Sequence, residues 1–476
     1  MRDARTTRIA GRCFWLQTAI KEGETDEPPL SGEARADVCI VGGGYAGMWT
    51  ALELKRREPS LDVAIVEADI CGGGPSGRNS GMVLPQWAKF QALQQICGTE
   101  DALRLCRASS AVLDELEAFC RDNRIDAGFR RDGWIWGASC AAQAGVWESL
   151  VEAIEAAGES YFRRVGRDEI AAMTGSDGFL AGIHTPDAAT LHPGQLVRGL
   201  RRVVLEHGVR VYENSPMVAL DRGTAPRVRT AEGAITADRV VLTMNAWSAR
   251  FPELRSAILV IASDDAMTAP IPELLEQSGY KDAPLVCDSQ IFVTGFRTTA
   301  DHRLGPGITG GVIGFGGLGT RRFEGPSRRE AEIRDCVRRG LPRLAEVPFV
   351  ASWYGPIDRT RTGLPLFGAL PTCPQVLYGY GFSGNGVCTT PIAGRILASL
   401  ALGRRDEWSG CGLVRPPEAW MPPEPFKYVG ALMVRAAIRR KDALGYRGRE
   451  PGPITRRLAA LAPGGVVTTP QFESRR

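Results

Sequence analysis

The first clear pattern along the chain is a short apolar run, followed by glycines and then by a segment with helical spacing. Residues 37–41 (DVCIV) are apolar and β-branched at three positions, which predicts a buried strand. GGGYAG follows directly, and apolar residues then recur every three or four positions from Met48 to Leu54 until Pro59 ends the segment. A second apolar run over 63–66 ends at Glu67. This order of strand, glycine turn, helix and strand predicts a βαβ unit.

The rest of the chain alternates between helical and strand-rich regions. Helical spacing dominates residues 90–164, apart from 130–139 (RRDGWIWGAS), which alternates like a hairpin. Short strand-like runs between Gly and Pro fill 256–349, and clustered prolines after Gly410 mark a linker. We therefore predict an α/β fold of mixed α+β type, divided into an N-terminal arm (1–34), a Rossmann-like nucleotide-binding domain (35–100, 187–255 and 351–410), an interleaved antiparallel-sheet substrate domain (101–186 and 256–350), and a proline-rich linker with a basic helical tail (411–476).

Composition excludes several classes of protein. With 44% apolar and 24% charged residues among 476, the chain is typical of a folded protein rather than a disordered one. No stretch approaches the roughly 18 uncharged apolar residues that a membrane span needs, and the N-terminus lacks the apolar run of a signal peptide. The 12 cysteines show no paired spacing, so we expect reduced thiols in a cytoplasmic protein. With 4 histidines and no CxxC pair, we expect no metal site.

Charge is unevenly distributed along the chain. Residues 427–476 contain 11 basic and 3 acidic residues, although the net charge of the whole chain is +4, so the preceding part is mildly acidic. We therefore expect no nucleic-acid partner. The residue pattern of the tail predicts a basic helix with apolar positions at Phe426, Val429 and Met433. Such a helix can dock on the acidic body, form a homodimer or lie on an anionic membrane surface, and we favour the first two.

Gly42, Gly44 and Gly47 form a G-x-G-x-x-G motif in the required context, between a strand and a helix. Gly42 permits the tight turn, Gly44 lets a pyrophosphate approach the backbone, and Gly47 lets helix and strand pack closely. Glu67 stands 20 residues after Gly47, where a carboxylate accepts hydrogen bonds from ribose hydroxyls and repels a 2′-phosphate. The motif favours FAD or NAD over NADP, and a glycine turn without a ligand is the alternative.

Five further segments follow in a fixed order. They are GGGPSGRNSGMV (72–83), PGQLVRGLRRVVLEHGVRVYENSPM (193–217), ADRVVLTMNAWS (237–248), SWYGPIDRTRTGLPLFG (352–368) and GYGFSGNGV (379–387). Together they resemble the flavin-dependent amine oxidoreductases that include D-amino-acid oxidase, glycine oxidase and sarcosine oxidase. The resemblance covers about residues 35–410, and its spacing is similar to the branch that contains γ-glutamylputrescine oxidase. The first segment departs from the family's GASGRNGG mainly at Pro75 and Ser80.

The resemblance implies that the nucleotide-binding domain holds FAD. The family's cysteine and histidine attachment positions have no counterpart in this sequence, which implies noncovalent FAD. The cofactor-binding residues that the glycine motif and the resemblance assign are Gly42, Gly44, Tyr45, Ala46, Gly47, Glu67, Ser76, Arg78, Asn79, Ser80, Met217, Val218, Asn245, Ala246, Trp247, Gly355, Gly381, Ser383, Gly384, Asn385, Gly386 and Val387.

The resemblance also implies the reaction, which is hydride transfer from a C–N carbon to flavin N5 and then hydrolysis of the imine. Glycine-oxidase-like members bind the substrate carboxylate with an arginine that stands two residues after the glycine of their W-x-G motif, which corresponds to Gly355 here. Ile357 stands there instead, and we expect Arg359 to point elsewhere. We therefore expect a primary, N-substituted or polyamine-like amine as substrate. An amino acid is the alternative, and a noncatalytic nucleotide-binding protein with an interaction tail is a further one.

Candidate pocket residues follow from the same segments. Aromatic faces hold apolar or cationic amines, and Ile357 and His302 are included by position. The catalytic-pocket candidates are Tyr354, Trp353, Ile357 and His302, with Trp134, Trp136, Phe292 and Phe296 as further aromatic candidates. Asp358 is expected either to hold an ammonium group or to form a structural ion pair, and Cys388 is expected to be a structural thiol.

The electron acceptor is left open between oxygen and another oxidant. Some oxidase relatives place a lysine beside flavin N5, which speeds the reaction with oxygen. The matching segment, 305–317, has no lysine, and Lys281 lies outside it. We therefore expect slow reoxidation by oxygen, unless Arg297 or Arg303 supplies the positive charge.

Overall fold

The computed structural model describes residues 6–316 and 325–463, so predicted positions within 1–5, 317–324 and 464–476 lie outside the described residues. Its α-helices are, in chain order, α1 (Phe14–Ala19), α2 (Tyr45–Arg57), α3 (Phe90–Asp122), α4 (Glu148–Ala156), α5 (Arg167–Thr174), α6 (Pro193–Glu206), α7 (Pro272–Ser278), α8 (Glu330–Gly340), α9 (Thr390–Ala401), α10 (Phe426–Tyr446) and α11 (Pro453–Ala459). Its strands are β1 (Gly32–Val41), β2 (Val63–Val66), β3 (Met82–Val83), β4 (Trp134–Ala138), β5 (Arg163–Gly166), β6 (Ala181–Thr185), β7 (Ala189–Thr190), β8 (Arg210–Tyr212), β9 (Ala219–Asp221), β10 (Arg227–Arg229), β11 (Gly233–Leu242), β12 (Leu259–Thr268), β13 (Leu285–Asp288), β14 (Thr294–Thr298), β15 (Leu304–Ile308), β16 (Phe349–Arg359), β17 (Leu366–Leu370) and β18 (Cys373–Tyr380).

The first sheet has the strand order β17-β18-β11-β1-β2-β8, and β9 and β10 extend it beside β11. Strand β1 pairs in parallel with both β2 and β11. Along β1, Val38 and Ile40 join the hydrophobic cluster on one face, and Cys39 and Val41 join the cluster on the other. Both faces are therefore buried, as parallel sheets require. The helix α2 leads from β1 to β2, which confirms the predicted βαβ unit and the Rossmann-like sheet.

The second sheet has the order β16-β12-β15-β14-β13-β4-β6-β5 and is antiparallel except where β13 pairs with β4. The hairpin predicted over 130–139 is wrong, because β4 pairs with β6 and β13, which are distant in sequence. All 5 residues of β4 are buried, since the strand is central and covered on both faces. The alternation in the sequence therefore does not mark an exposed face.

Two predicted boundaries need correction. Strand β16 was predicted as part of the nucleotide-binding domain, but it pairs with β12 along its length and belongs to the second sheet. The N-terminal arm contains α1, whose Trp15 and Leu16 are buried, and its last residues already belong to β1. Burial of these apolar side chains against the body stabilises the folded protein, which explains why the arm is not a free loop. The rest of the domain division stays a prediction.

The tail helix α10 docks on the body of the protein. Ile438 is buried, and Arg435 Nε donates a hydrogen bond to the Gly310 carbonyl oxygen at 2.9 Å. Phe426 and Met433, two of the apolar positions in the predicted helix, are exposed instead. A different face of the helix is therefore buried. Among the described residues, no helix combines the length and hydropathy that a bilayer span requires.

Candidate active site

A cleft of about 940 Å³ begins at the carboxyl ends of β1 and β2 and reaches the second sheet. Gly42 and Glu67 line its first part, directly after these two strands. Asp265 of β12 and Ile357 of β16 line its other part. Ligands of open parallel sheets bind at the carboxyl ends of the strands, so the position of the cleft is that of a nucleotide site.

The glycine turn after β1 brings bare backbone to the cleft. Gly42 has a φ of +114°, and a Cβ on it would lie 2.6 Å from the Thr243 carbonyl oxygen, so only glycine fits. A Cβ on Gly44 would lie 2.9 Å from Ser76 Oγ. This hydroxyl oxygen accepts a hydrogen bond from the Tyr45 N–H at 2.9 Å, in the first turn of α2. The bare backbone at the start of α2 therefore lets a pyrophosphate come close to the positive end of the helix dipole.

Glu67 closes the same end of the cleft. Its carboxylate accepts hydrogen bonds from the N–H groups of Gly43 at 2.6 Å and Asp69 at 2.9 Å. Burial raises the pKa of Glu67 to about 7, and the nearby carboxylates of Asp69 and Glu213 add to the increase. These bonds hold the Glu67 side chain at the end of β2, where its remaining lone pairs can accept hydrogen bonds from ribose hydroxyl groups.

A buried amide oxygen in the lining of the cleft has no hydrogen-bond partner among the described residues. Asn245 Oδ1 is buried without a hydrogen bond, although Asn245 lines the cleft. A buried acceptor of this kind costs about 1–3 kcal/mol unless a ligand satisfies it. Nearby in the lining, Val218 is 64% exposed and offers an apolar surface that a bound purine ring can cover. Together with the glycine turn and Glu67, these residues fit FAD.

The glycine-rich turn after β18 borders the other part of the cleft. Asp358, which is fully buried, accepts hydrogen bonds from the N–H groups of Gly381 at 2.5 Å and Ser383 at 3.3 Å. Burial raises the pKa of Asp358 to about 6. Asp358 therefore orders this turn through backbone N–H groups, which corrects the expectation of an ammonium partner or an ion pair.

Asp265 is an acidic side chain in the part of the cleft that the second sheet forms, and the sequence analysis did not identify it. It is 4% exposed and accepts a hydrogen bond from the Ser80 hydroxyl at 2.5 Å. Burial raises its pKa to about 7, the neighbouring Asp264 raises it further, and Ser80 and Arg297 lower it. A signal was present in the sequence: two adjacent acids inside an apolar strand must face opposite sides. Asp264 faces the other side and pairs with Arg329 at 2.9 Å.

Two cations, the buried Lys89 and the half-buried Arg359, also line the cleft. Lys89 is 3% exposed, and burial together with the positive charge of Arg359 lowers its pKa well below the usual 10.5. Arg359 Nη1 donates a hydrogen bond to the Ser383 carbonyl oxygen at 2.9 Å. The expectation that Arg359 points away is wrong, because residues two apart on a strand share a face and both Ile357 and Arg359 line the cleft. Lys89 therefore places a lysine in the cleft, although it lies outside the segment 305–317 in which the sequence analysis looked for one.

Three of the four pocket candidates are not among the described residues that line the cleft. Trp353 Nε1 donates to the Arg78 carbonyl oxygen at 2.8 Å and packs in the core beside α1. Tyr354 faces the opposite side of β16, where its hydroxyl oxygen accepts from the Arg328 N–H at 2.7 Å. His302 occupies the turn between β14 and β15 with a φ of +58°. Ile357 does line the cleft.

The predicted cofactor-binding residues line the cleft with three exceptions, which are Gly47, Ala246 and Gly381. A Cβ on Gly47 would lie 2.0 Å from the Gly42 carbonyl oxygen, so Gly47 serves the close packing of helix and strand. Ala246 belongs to a hydrophobic cluster, and Gly381 holds the turn through its bond to Asp358.

The other predicted residues are distributed as follows. Trp134 lines the cleft, whereas Trp136 and Phe296 pack in hydrophobic clusters. Cys388 is fully buried, and its thiol lies 3.1 Å from the Ser109 carbonyl oxygen, as expected of a structural thiol. Phe292 borders a second cavity, and the described lining of the cleft includes neither Arg297 nor Arg303.

The comparisons with known proteins agree with this geometry. The DAO family model, described as FAD dependent oxidoreductase, matches residues 37–400. The probable oxidoreductase OrdL of Haemophilus influenzae is 27% identical over 393 residues, which cover 79% of this chain and 85% of that protein. The gamma-glutamylputrescine oxidoreductase of Escherichia coli is 28% identical over 377 residues, which cover 79% and 85% of the two chains.

Solved structures show the same fold. The crystal structure of glycine oxidase from Geobacillus kaustophilus has a TM-score of 0.64 at 22% identity and covers 78% of this chain and 96% of its own. L-proline dehydrogenase from P. horikoshii has a TM-score of 0.63 at 17% identity, with coverage of 80% and 95%. The family match spans far more than half of the chain and includes both parts of the cleft. The chain therefore belongs to the DAO family of FAD-dependent oxidoreductases, and its cofactor is FAD.

Proposed function

We propose that this protein oxidises the C–N bond of a primary or N-substituted amine. The observation that carries the proposal is Asp265, a carboxyl group that lines the cleft at 4% exposure. Its hydrogen-bond partner is the Ser80 hydroxyl, and among the residues that the structure describes no lysine or arginine forms an ion pair with it. The positive charge of Arg297 only partly offsets the cost of burying this carboxylate, and a substrate ammonium supplies the opposite charge in direct contact. The name of the E. coli relative, which contains a putrescine amine, supports the same class of substrate.

The chain's own residues prepare the amine for oxidation. Bound FAD supplies the acceptor for the hydride that leaves the carbon next to nitrogen. The Asp265 carboxylate binds the substrate ammonium and takes one of its protons, which leaves a neutral amine whose lone pair supports departure of the hydride. Ser80 keeps the carboxylate oriented through its hydrogen bond. The oxidised product is an imine, which adds water and separates into a carbonyl compound and the released amine or ammonia.

We propose that the cleft holds FAD without a covalent bond. Gly42 and Gly44 receive the pyrophosphate at the start of α2, Glu67 accepts the ribose hydroxyls, and Asn245 gains a partner for its buried oxygen. Acid precipitation of the purified protein tests the noncovalent attachment. All of the flavin should appear in the supernatant, and flavin that stays in the pellet contradicts the proposal.

A panel of amines tests the proposed reaction. Under anaerobic conditions, flavin absorbance is followed after mixing with putrescine, N-alkyl amines, glycine, sarcosine and D-alanine. We expect amines to bleach the flavin faster than glycine or D-alanine, because Ile357 replaces the carboxylate-binding arginine of glycine-oxidase-like members. Bleaching by glycine or D-alanine at the rate of the best amine overturns the preference for amines.

An amino acid is the second candidate substrate, and one observation favours it. Arg359 is a half-buried cation that lines the cleft two residues from Ile357, where it can bind a carboxylate. The variant Arg359→Met distinguishes the two candidates. If the substrate carries a carboxylate, the variant raises KM for that substrate selectively, whereas KM for simple amines changes little.

Other features of the protein follow as proposals from the same observations. All 12 cysteines are free, which supports a cytoplasmic location. The docked tail leaves Phe426 and Met433 exposed, and these residues support the predicted homodimer or membrane contact. The electron acceptor is oxygen or another oxidant. The two sheets supply the FAD-binding and substrate domains, with β16 assigned to the second sheet.

A further inference from the structure

A second cavity of about 320 Å³ lies between the second sheet and the C-terminal helices. We propose that this tail cavity receives an apolar substituent of the substrate, attached to the amine that is oxidised in the main cleft. The proposal rests on the proposed function and adds the substrate class, which is an amine with a hydrophobic chain or ring. The cavity volume is within the range of about 300–1,000 Å³ that is typical of small-molecule pockets.

The walls of the tail cavity are apolar on both sides. The body contributes Ile261, Phe292 and Ile357, and the tail contributes Ala431, Val434 and Ile438. Two charged side chains of the tail also border the cavity, but each is held by a body carbonyl group. Lys427 Nζ donates to the Arg255 oxygen at 3.1 Å, and Arg435 Nε donates to the Gly310 oxygen at 2.9 Å. The lining therefore suits a hydrocarbon group.

The tail cavity adjoins the main cleft directly. Thr309, Ile357 and Arg359 line both spaces, so they form the boundary between them. Ile357 pairs with Ile261 across β16 and β12, and Ile261 continues the apolar wall on the far side. A substituent that extends from the amine past Ile357 therefore meets apolar side chains of the second sheet and of the tail. Ile357, which stands where glycine-oxidase-like members have the carboxylate-binding arginine, is therefore one of the residues between the two spaces.

The tail is held in a defined position over the cavity. Lys427 fixes the first turn of α10, and at its other end the Tyr446 hydroxyl lies 2.9 Å from Ser139 Oγ. Between these points Ile438 is 2% exposed. A helix fixed at both ends spans the cavity as a wall, and all of α10 lies beyond residue 400, where the family match ends.

Gly430 gives a direct way to fill the tail cavity. It lies in α10 and borders the cavity, and a Cβ on it would have no atom within 4 Å, so a larger side chain there meets no clash at its base. The variant Gly430→Phe should reduce the space, and Ala431→Phe is a second variant in case the first fails to fold. Val429→Phe is the matched control, since Val429 is on the same helix, is 52% exposed and is not among the described lining residues.

The first measurement is anaerobic reduction of the holoenzyme by n-alkylamines from propyl to octyl. For the wild type we expect kcat/KM to increase about 10-fold or more between propylamine and hexylamine, because each methylene that enters an apolar pocket is favourable. In Gly430→Phe the value for hexylamine should fall to that for propylamine, with propylamine unaffected, and Val429→Phe should behave as the wild type. Equal rates for short and long amines in the wild type overturn the cavity proposal and leave the proposed function intact.

The second measurement does not depend on turnover. Hexyltrimethylammonium and tetramethylammonium carry a permanent charge and no N–H group, and their Kd values are obtained from the flavin difference spectrum. We expect the wild type to bind the hexyl compound at least about 10-fold more tightly than tetramethylammonium, and Gly430→Phe should abolish this difference. If no amine reduces the flavin, the proposed function fails, and these Kd values still decide the cavity proposal. Equal Kd values in the wild type overturn it.

Discussion

The Ser80 hydroxyl donates a hydrogen bond to the Asp265 carboxylate at 2.5 Å, and the two residues come from different layers of the fold. Ser80 lies in the glycine-rich segment 72–83 after β2, whereas Asp265 belongs to β12 of the second sheet. The bond therefore joins the cofactor side of the cleft to its substrate side. Because burial raises the pKa of Asp265 to about 7, this junction titrates near neutral pH.

The first prediction is a pH dependence of flavin reduction that comes from Asp265. The carboxylate form binds the ammonium and accepts its proton, so kcat/KM should rise as pH increases through about 7. Asp265→Asn should lower kcat/KM about 100-fold or more and remove this inflection. Ser80→Ala, which keeps the carboxyl group but loses its partner, should shift the inflection upward, because a hydrogen bond to the charged form lowers the pKa.

Stopped-flow reduction between pH 5.5 and 9 measures these profiles. The profile of Asp265→Asn is the decisive one, since loss of activity alone has several causes. If the variant keeps an inflection near pH 7, another group is responsible and Asp265 is not the base.

The second prediction concerns stability. The folded-state pKa of Asp265, about 7, lies above the ordinary value of 3.8, so the folded protein binds this proton more tightly than the unfolded chain. The contribution of Asp265 to the free energy of unfolding is therefore fully present below about pH 4 and is lost as pH rises through about 7. Asp265→Asn has no such loss.

Thermal unfolding of apoprotein at pH 5 and pH 8 checks this expectation. The Tm of Asp265→Asn relative to wild type should be higher at pH 8 than at pH 5. The comparison isolates Asp265 from Glu67 and Asp288, whose pKa values are also raised to about 7, because both proteins contain those groups. Parallel pH curves for the two proteins contradict a buried, neutral Asp265.

The sequence was sufficient for the FAD end of the site and insufficient for the substrate end. Gly42, Gly44 and Glu67 are adjacent in a local βαβ unit, so their spacing alone predicts their geometry. The proposed substrate end combines Asp265 of β12, Arg359 of β16 and Lys89, which directly precedes α3. Pairing of β12 with β16 brings the first two together, and packing of a distant segment adds Lys89. Tyr354 was misplaced for the same reason: its position in a motif is a matter of sequence, but the face of β16 that it occupies depends on pairing with β12.

The third prediction concerns Glu67 and FAD affinity. The Glu67 carboxylate is held by the N–H groups of Gly43 and Asp69 and lines the end of the cleft where we propose that the ribose binds. Glu67→Gln should weaken FAD binding about 10- to 100-fold, because a hydrogen bond to a charged group contributes about 1.5–3 kcal/mol. Glu67→Arg should abolish binding at micromolar FAD. Fluorescence titration of apoprotein with FAD gives the Kd, and an unchanged Kd in both variants means that the ribose lies elsewhere.

The last prediction concerns the reaction of the reduced enzyme with oxygen. Lys89 is buried in the lining of the cleft, and Arg359 lies close enough for its charge to lower the Lys89 pKa. A fixed positive charge stabilises the superoxide that forms when oxygen takes the first electron, and it also stabilises the negative charge of a reduced flavin. Lys89→Met should therefore slow reoxidation by about 100-fold, a loss typical of a removed electrostatic donor, while the rate with a quinone or dye acceptor changes less. Lys89→Arg keeps the charge and should retain most of the rate.

Because only protonated Lys89 carries the charge, the wild-type rate should also fall as pH rises through the lowered pKa of Lys89. Stopped-flow mixing of photoreduced enzyme with aerated buffer measures each rate. If Lys89→Met reoxidises as fast as the wild type, the charge near the reacting flavin comes from another residue, and Arg359→Met becomes the variant to measure.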